Sequence, residues 1–142
     1  MVCTFFGHRN TDKSILPFLR ATIVDLIENK KVSTFYVGNN GGFDSLVRQV
    51  LKEEKETHPH IKYFVVLSYM PTEKSKDDFF DYSDTIYFPL PPKTPPRFAI
   101  DKRNRMMLAE ADYVVTHVKT VIGGAAKYKE IAEKKNKIVI NI

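Results

Sequence analysis

Gly38-Asn39-Asn40-Gly41-Gly42-Phe43-Asp44 follows a short β-like run, Thr34 to Val37, and leads into an amphipathic helical pattern from Phe43 to Leu51. A strand, a glycine-rich turn and a helix N-terminus make a seat for a phosphate or another anion. The first N–H groups of a helix have no internal partner, and the helix dipole favours negative charge there. Glycine also lets a ligand approach the main chain without a Cβ in the way. The spacing is neither the dinucleotide fingerprint G-x-G-x-x-G nor a Walker loop, which ends in Gly-Lys-Ser/Thr. The competing reading is a tight strand-to-helix turn that binds nothing.

Three further groups of residues invite the same question. Gly7-His8-Arg9 closes the first apolar run, and Arg9 could pair with a phosphate through its planar fork or simply be an exposed loop arginine. His8 is read as a satisfied loop histidine or a site residue, and Asp44 as a ribose ligand or a helix-start carboxylate favoured by the dipole. Asn104 lies four residues after Ile100 and three before Met107, so it projects from an apolar helical stripe. A polar group there needs a partner: a ligand, a water or a neighbouring loop carbonyl. Arg103 flanks it, with Arg97 and Arg105 nearby in sequence, and could clamp an anion; Lys102 and Arg105 fit a solvated basic face. Gly123-Gly124-Ala125 is a second small-residue turn before a helix, so two anion-receptive helix ends could face one crevice. His58-Pro59-His60 has no Cys, Asp or Glu at zinc-ligand spacing, and no metal site is expected. No nucleophile-elbow motif is present either.

The elements that must position these residues follow from periodicity. Val2 to Phe6, Ser33 to Val37, Lys62 to Ser68, Thr85 to Phe88, Asp112 to Val118 and Ile138 to Ile142 read as strands. Lys62 to Ser68 is the most apolar and is expected at or near the sheet centre. Helices are expected from near Ser14, with Pro17 in the first turn, then from Phe43, over Phe98 to Ala111, and over Ala125 to Lys135. Met70 to Tyr82 is ambiguous, and Pro89 to Pro96 holds five prolines in eight residues, so it is expected to be extended. Strands alternating with helices predict an α/β fold: a single Rossmann-like domain with an open, mostly parallel sheet and helices on both faces. Ligands of such sheets bind outside the carboxyl ends of the strands, where strand order reverses. The segments after the first, second and fifth strands are the glycine-bearing turns named above, and Tyr69-Met70 follows the third.

Composition bounds the rest. The chain has 142 residues, 43% hydrophobic and 27% charged, which is ordinary for a soluble globular domain. A net charge of +5 suits an anionic ligand without requiring one. The lone cysteine, Cys3, sits in an apolar run and cannot form a disulfide within the chain, which suits a reducing compartment. With no bilayer-length apolar run and no signal-peptide pattern, a cytoplasmic protein without membrane partners is expected.

Taken together, Thr4 to Arg9, Gly38 to Asp44, Arg103-Asn104-Arg105-Met106-Met107 and Gly123-Gly124-Ala125-Ala126 resemble the SLOG superfamily. That Rossmann-like group includes LOG phosphoribohydrolases, DprA-type DNA-processing proteins and YpsA-like proteins. Gly7-His8-Arg9 after the first strand is most similar to the YpsA-like branch. The resemblance implies a nucleotide or nucleotide-derived ligand, such as an ADP-ribose or NAD relative, and no other cofactor. LOG enzymes cleave the N-glycosidic bond of nucleoside monophosphates with an arginine on the helix before the fifth strand, which Arg103 matches. They also use a glutamate in Pro-Gly-Gly-x-Gly-Thr-x-Glu-Glu, where this chain has Ile122, Ala126, Lys127 and Lys129 in place of proline, Gly-Thr and the first glutamate. Only Glu130 matches the second.

The leading expectation is therefore a nucleotide-binding sensor or sequestering protein. Its ligand-binding residues would be Gly7, His8, Arg9, Gly38, Asn39, Asn40, Gly41, Gly42, Asp44, Arg103, Asn104, Gly123, Gly124 and Ala125. A LOG-like phosphoribohydrolase is the alternative, with Arg103, Glu130 and Asp44 as catalytic candidates. DprA-like binding of single-stranded nucleic acid is a further one. Because no run of basic and aromatic residues marks a stacking platform, nucleic acid is expected not to be the partner. The oligomeric state is left open, a homo-oligomer included.

Overall fold

The computed structural model describes residues 1–67, 85–87 and 95–142. The ambiguous Met70 to Tyr82, the prolines before Pro95, and Tyr69-Met70 lie outside these residues. The elements are β1 (Val2–Gly7), α1 (Leu16–Glu28), β2 (Thr34–Val37), α2 (Gly41–Thr57), β3 (Lys62–Leu67), β4 (Thr85–Tyr87), α3 (Pro96–Glu110), β5 (Tyr113–His117), α4 (Gly124–Lys134) and β6 (Ile138–Asn141). A 3-10 turn, Lys13–Ile15, precedes α1, and Asp12 Oδ1 accepts from the Ser14 N–H at 2.9 Å to start it. Leu16 and Pro17 then open α1, so the proline falls in the first turn, where its missing N–H costs nothing.

The strands form one sheet in the order β4-β3-β2-β1-β5-β6, and every pairing is parallel. This is a Rossmann-like α/β architecture with β1 at the reversal: β2 flanks it on one side and β5 on the other. β3, expected at or near the centre, lies beside the central pair and second from the edge, next to β4. Its apolar character reflects cover on both faces, since Tyr63, Val65 and Leu67 join one core cluster and Val66 the other.

Period-2 alternation along the strands divides the interior in two. Cys3 and Phe5 of β1 pack with Leu19, Ile23 and Leu26 of α1 and with Phe43, Val47 and Val50 of α2. Phe6 faces the other way, among Met107 and Leu108 of α3 and Tyr128 and Ala132 of α4. Among the described residues, helices thus cover both faces, α1 and α2 on one and α3 and α4 on the other. Among the described residues, no helix is long and apolar enough to cross a membrane.

Candidate functional site

The parallel register pairs Gly7 with His117, so β1 and β5 end side by side at the strand reversal. A crevice of about 360 Å³ opens there. Gly7, His8 and Arg9 form one part of its wall, Arg97, Ile100 and Arg103 of α3 another, and Gly124 and Ala125 of α4 a third. Asn40, Asp44 and Asn104 also line it, whereas Gly38, Asn39, Gly41, Gly42 and Gly123 do not.

The Gly38 to Asp44 turn packs tightly against the loop after β1. The Gly42 N–H, one of the first in α2, donates to the Arg9 carbonyl at 2.7 Å. A Cβ on Gly42 would stand 2.6 Å from that same oxygen, and one on Gly41 would press on the Arg9 side chain. Gly41 also has φ +89°, a conformation that glycine adopts without strain. These two glycines let the loop after β1 lie directly on the start of α2. Gly7 has a comparable role, since a Cβ there would overlap the Phe43 ring.

Arg103 fixes the turn from the other side. It is 2% exposed, and its Nη1 donates to Asn39 Oδ1 at 2.7 Å and Asn40 Oδ1 at 2.8 Å. Its Nε donates to Asn104 Oδ1 at 3.0 Å. The partner that Asn104 requires on its apolar stripe is therefore the neighbouring arginine, with Tyr128 as a second. Arg103 reaches the crevice wall, but its guanidinium is already engaged by three amide oxygens. A freely presented anion clamp it is not.

Asp44 is buried beside this network. Its Oδ2 accepts from the Asn40 N–H at 3.0 Å, and a Cβ on Gly38 would crowd both that oxygen and the Arg103 guanidinium. Burial raises the Asp44 carboxyl to about 6, against the pull of the Asn40 N–H and the Arg103 and Arg48 charges.

The end of α4 is built in the opposite sense. Gly123, at φ +115°, is the N-cap with no side-chain cap bond, and a Cβ on Gly123 or Gly124 would meet nothing within 4 Å. The main chain there is open to a visitor. α4 is held by Asp101 of α3, whose Oδ1 accepts from Tyr128 Oη at 2.6 Å and Lys127 Nζ at 3.1 Å. Arg105 Nε donates to its Oδ2 at 3.0 Å. The Tyr128 hydrogen bond and these cations hold Asp101 down to about 2, while burial and that carboxylate raise Tyr128 to about 12. Tyr128 stacks on Phe6 with ring centroids 5.1 Å apart, and both line the crevice.

His8 Nε2 accepts from the Lys119 N–H at 2.9 Å, and His117 Nδ1 hydrogen-bonds the Ile142 carbonyl at 2.8 Å. Both are satisfied loop-end histidines. Arg9 and Arg97 both line the crevice and are exposed; among the described residues neither guanidinium has an ion pair, and Arg97 lies over the half-exposed Phe98 ring at 4.9 Å. Glu130 is not among the residues that line the crevice and pairs with Lys134 at 2.9 Å. Arg97, named in the sequence only as a neighbour of Arg103, lines the crevice, as does Tyr128, which the sequence placed only among buried helix residues. Arg97 sits in the first turn of α3 and Tyr128 one turn after Gly124, and helix geometry places both toward the strand ends.

No protein-family description matches this sequence, and no curated protein matches it either. Solved structures do. DNA processing protein A (DprA) from Streptococcus pneumoniae superposes with a TM-score of 0.72 at 16% identity, over 96% of this chain and 48% of that one. DNA processing protein A from Helicobacter pylori, described for its single-stranded DNA binding mode, superposes with a TM-score of 0.69 at 15% identity, over 98% of this chain and 63% of that one. The chain thus spans between about half and two thirds of these neighbours. DprA is one of the groups that the sequence motifs resemble; the YpsA-like placement rests on those motifs alone. The expectation that nucleic acid is not the partner is corrected by the second neighbour, whose binding mode is to single-stranded DNA. Its premise was a contiguous basic and aromatic run, whereas folding brings Arg9 to the same crevice as Arg97, which lies over the ring of its neighbour Phe98. What the comparisons establish is a fold shared with DprA-type proteins.

Proposed function

We propose that the crevice binds single-stranded nucleic acid by seating one nucleotide between the β1 loop and the start of α4. One observation carries this reading: two arginines without ion-pair partners among the described residues, Arg9 and Arg97, meet an uncapped helix N-terminus at the strand reversal. Phosphate is the group that guanidinium forks and open helix N–H groups recognise together. The half-exposed Phe98 offers a ring on which a base can stack. The similarity to a DprA whose described partner is single-stranded DNA supports the same reading. A cytoplasmic setting, suggested by the lone buried thiol, belongs to it as well.

A free nucleotide is the second reading, favoured by the crevice volume of about 360 Å³. That lies at the lower end of small-ligand pockets, roughly 300–1,000 Å³. Phosphoribohydrolase chemistry is not favoured, because Glu130 lies outside the crevice and Arg103 is committed to Asn39, Asn40 and Asn104.

Fluorescence anisotropy with a labelled oligothymidylate tests the proposal. Binding is expected, weakened about tenfold by Arg9→Ala and again by Arg97→Ala, the loss of one charge-assisted contact each. A thermal shift with mononucleotides but no strand binding would transfer the function to the second reading. Failure of both would end the phosphate assignment.

A further inference from the structure

Two aliphatic side chains stand immediately before the open end of α4. Val121 is 96% exposed and Ile122 81%, the two highest values among the large hydrophobic residues described. Contiguous apolar surface rimmed by polar residues is the kind that marks interaction sites, and here two adjacent side chains are almost wholly open to solvent. The loop that presents them is braced at its base. Val118 N–H donates to Asn141 Oδ1 at 2.9 Å, and Asn141 Nδ2 donates back to the Val118 carbonyl at 3.2 Å. Lys119 N–H is held by His8 Nε2, and Thr120 Oγ1 donates to the Ile122 carbonyl at 2.8 Å. The tip is therefore carried on a defined support beside the crevice.

Resting on the function proposed above, we propose that Val121 and Ile122 form an apolar wedge for the bases that flank the crevice-bound nucleotide. The partner is then a strand of several nucleotides rather than a free one. The crevice has room for one nucleotide, so the next base along a strand must leave it at the rim, where Gly124 lines the crevice and Ile122 lies two residues away. Aliphatic side chains commonly pack against or between bases in this way. Charge selects the occupant. The exposed Lys119 adjoins the tip, and Arg9 and Arg97 stand at the crevice it borders, which suits a polyanion with apolar faces. A second copy of this chain meeting tip to tip would bring those same cations together.

The test compares thymidine monophosphate with a short oligothymidylate on the wild-type chain and on Val121→Ser/Ile122→Ser. Both positions are exposed, so the melting temperature should not move. The oligothymidylate is expected to bind the double variant about tenfold more weakly, and the mononucleotide equally well. Oligothymidylate binding indifferent to the double substitution overturns the wedge and leaves the proposed function standing. Equal weakening of both ligands also overturns it, by placing the tip within the nucleotide seat. No oligothymidylate binding by the wild-type chain overturns the proposed function and the wedge with it. A dimer dissociated by the substitution, or wild-type adhesion to anionic vesicles lost in the variant, would give the tip another occupant and overturn the wedge as well.

Discussion

Arg103 meets its charge with the side-chain oxygens of Asn39, Asn40 and Asn104. Removing one member of such a buried set leaves the others without solvation. Arg103→Ala should therefore cost about 3–5 kcal/mol in urea unfolding. Arg103→Lys should recover little, because one ammonium cannot span the acceptors that a planar fork reaches. A variant of normal stability that lost only ligand binding would show that Arg103 serves the ligand rather than the fold. Asp44 gives a prediction with a pH signature. Its folded carboxyl is raised from 3.8 to about 6, so the proton it holds stabilises the fold fully below pH 4, and that contribution is lost as pH rises through 6. At pH 7 the ionised group costs about 3 kcal/mol relative to its protonated form. Asp44→Asn should raise Tm at pH 7.5, with the gain disappearing by pH 4. A gain independent of pH would mean that burial of the carboxylate is not its source.

At the scale of elements, the two glycine pairs at helix starts separate by what surrounds them. Gly42→Ala puts a methyl against the Arg9 carbonyl and should lower stability by about 1–3 kcal/mol, read as a fall in Tm. Gly124→Ala meets open space and should leave stability within about 0.5 kcal/mol of wild type, with Tm essentially unmoved. The reverse ranking would mean that the loop after β1 does not press on α2. Strands, helices and their alternation were readable because apolar periodicity reports which face is buried. The two glycine turns were readable as turns but not distinguishable by use. Both present small residues before a helix, and only the chain lying across Gly41 and Gly42 tells one from the other. Asn104 was readable as a polar group needing a partner, yet that partner, its neighbour Arg103, depends on a rotamer that spacing does not encode. Arg97 and Tyr128 carry no local motif, and each joins the crevice only through the placement of α3 and α4 on one face of the sheet.

For the whole molecule, the distribution of charge matters more than the total. A net charge of +5 is modest, and among the described residues the exposed cations at or beside the crevice are few: Arg9, Arg97 and Lys119. Single-strand affinity should fall with salt along a slope of about −0.7 per phosphate neutralised, so a slope near −2 is expected for three contacts. A much steeper slope would place the strand across a wider basic surface than the crevice. The strand order that makes this site possible could be anticipated only as a class. A parallel α/β sheet follows from alternation, but the position of β3 beside the edge, with β1 at the reversal, is fixed by which strands pair, and pairing has no local signature.

Cys3 turns the central strand into an instrument. It is the chain's one cysteine, fully buried beneath α1 and α2, and its thiol is pushed well above the ordinary range by burial. Alkylation under native conditions must wait for β1 to be uncovered, so its rate counts openings of the sheet. Any molecule that binds the closed form slows that count in proportion to its occupancy. A single buried sulfur, far from any contact with what it reports on, can thus rank nucleotides, strands of different length and unrelated anions on one scale.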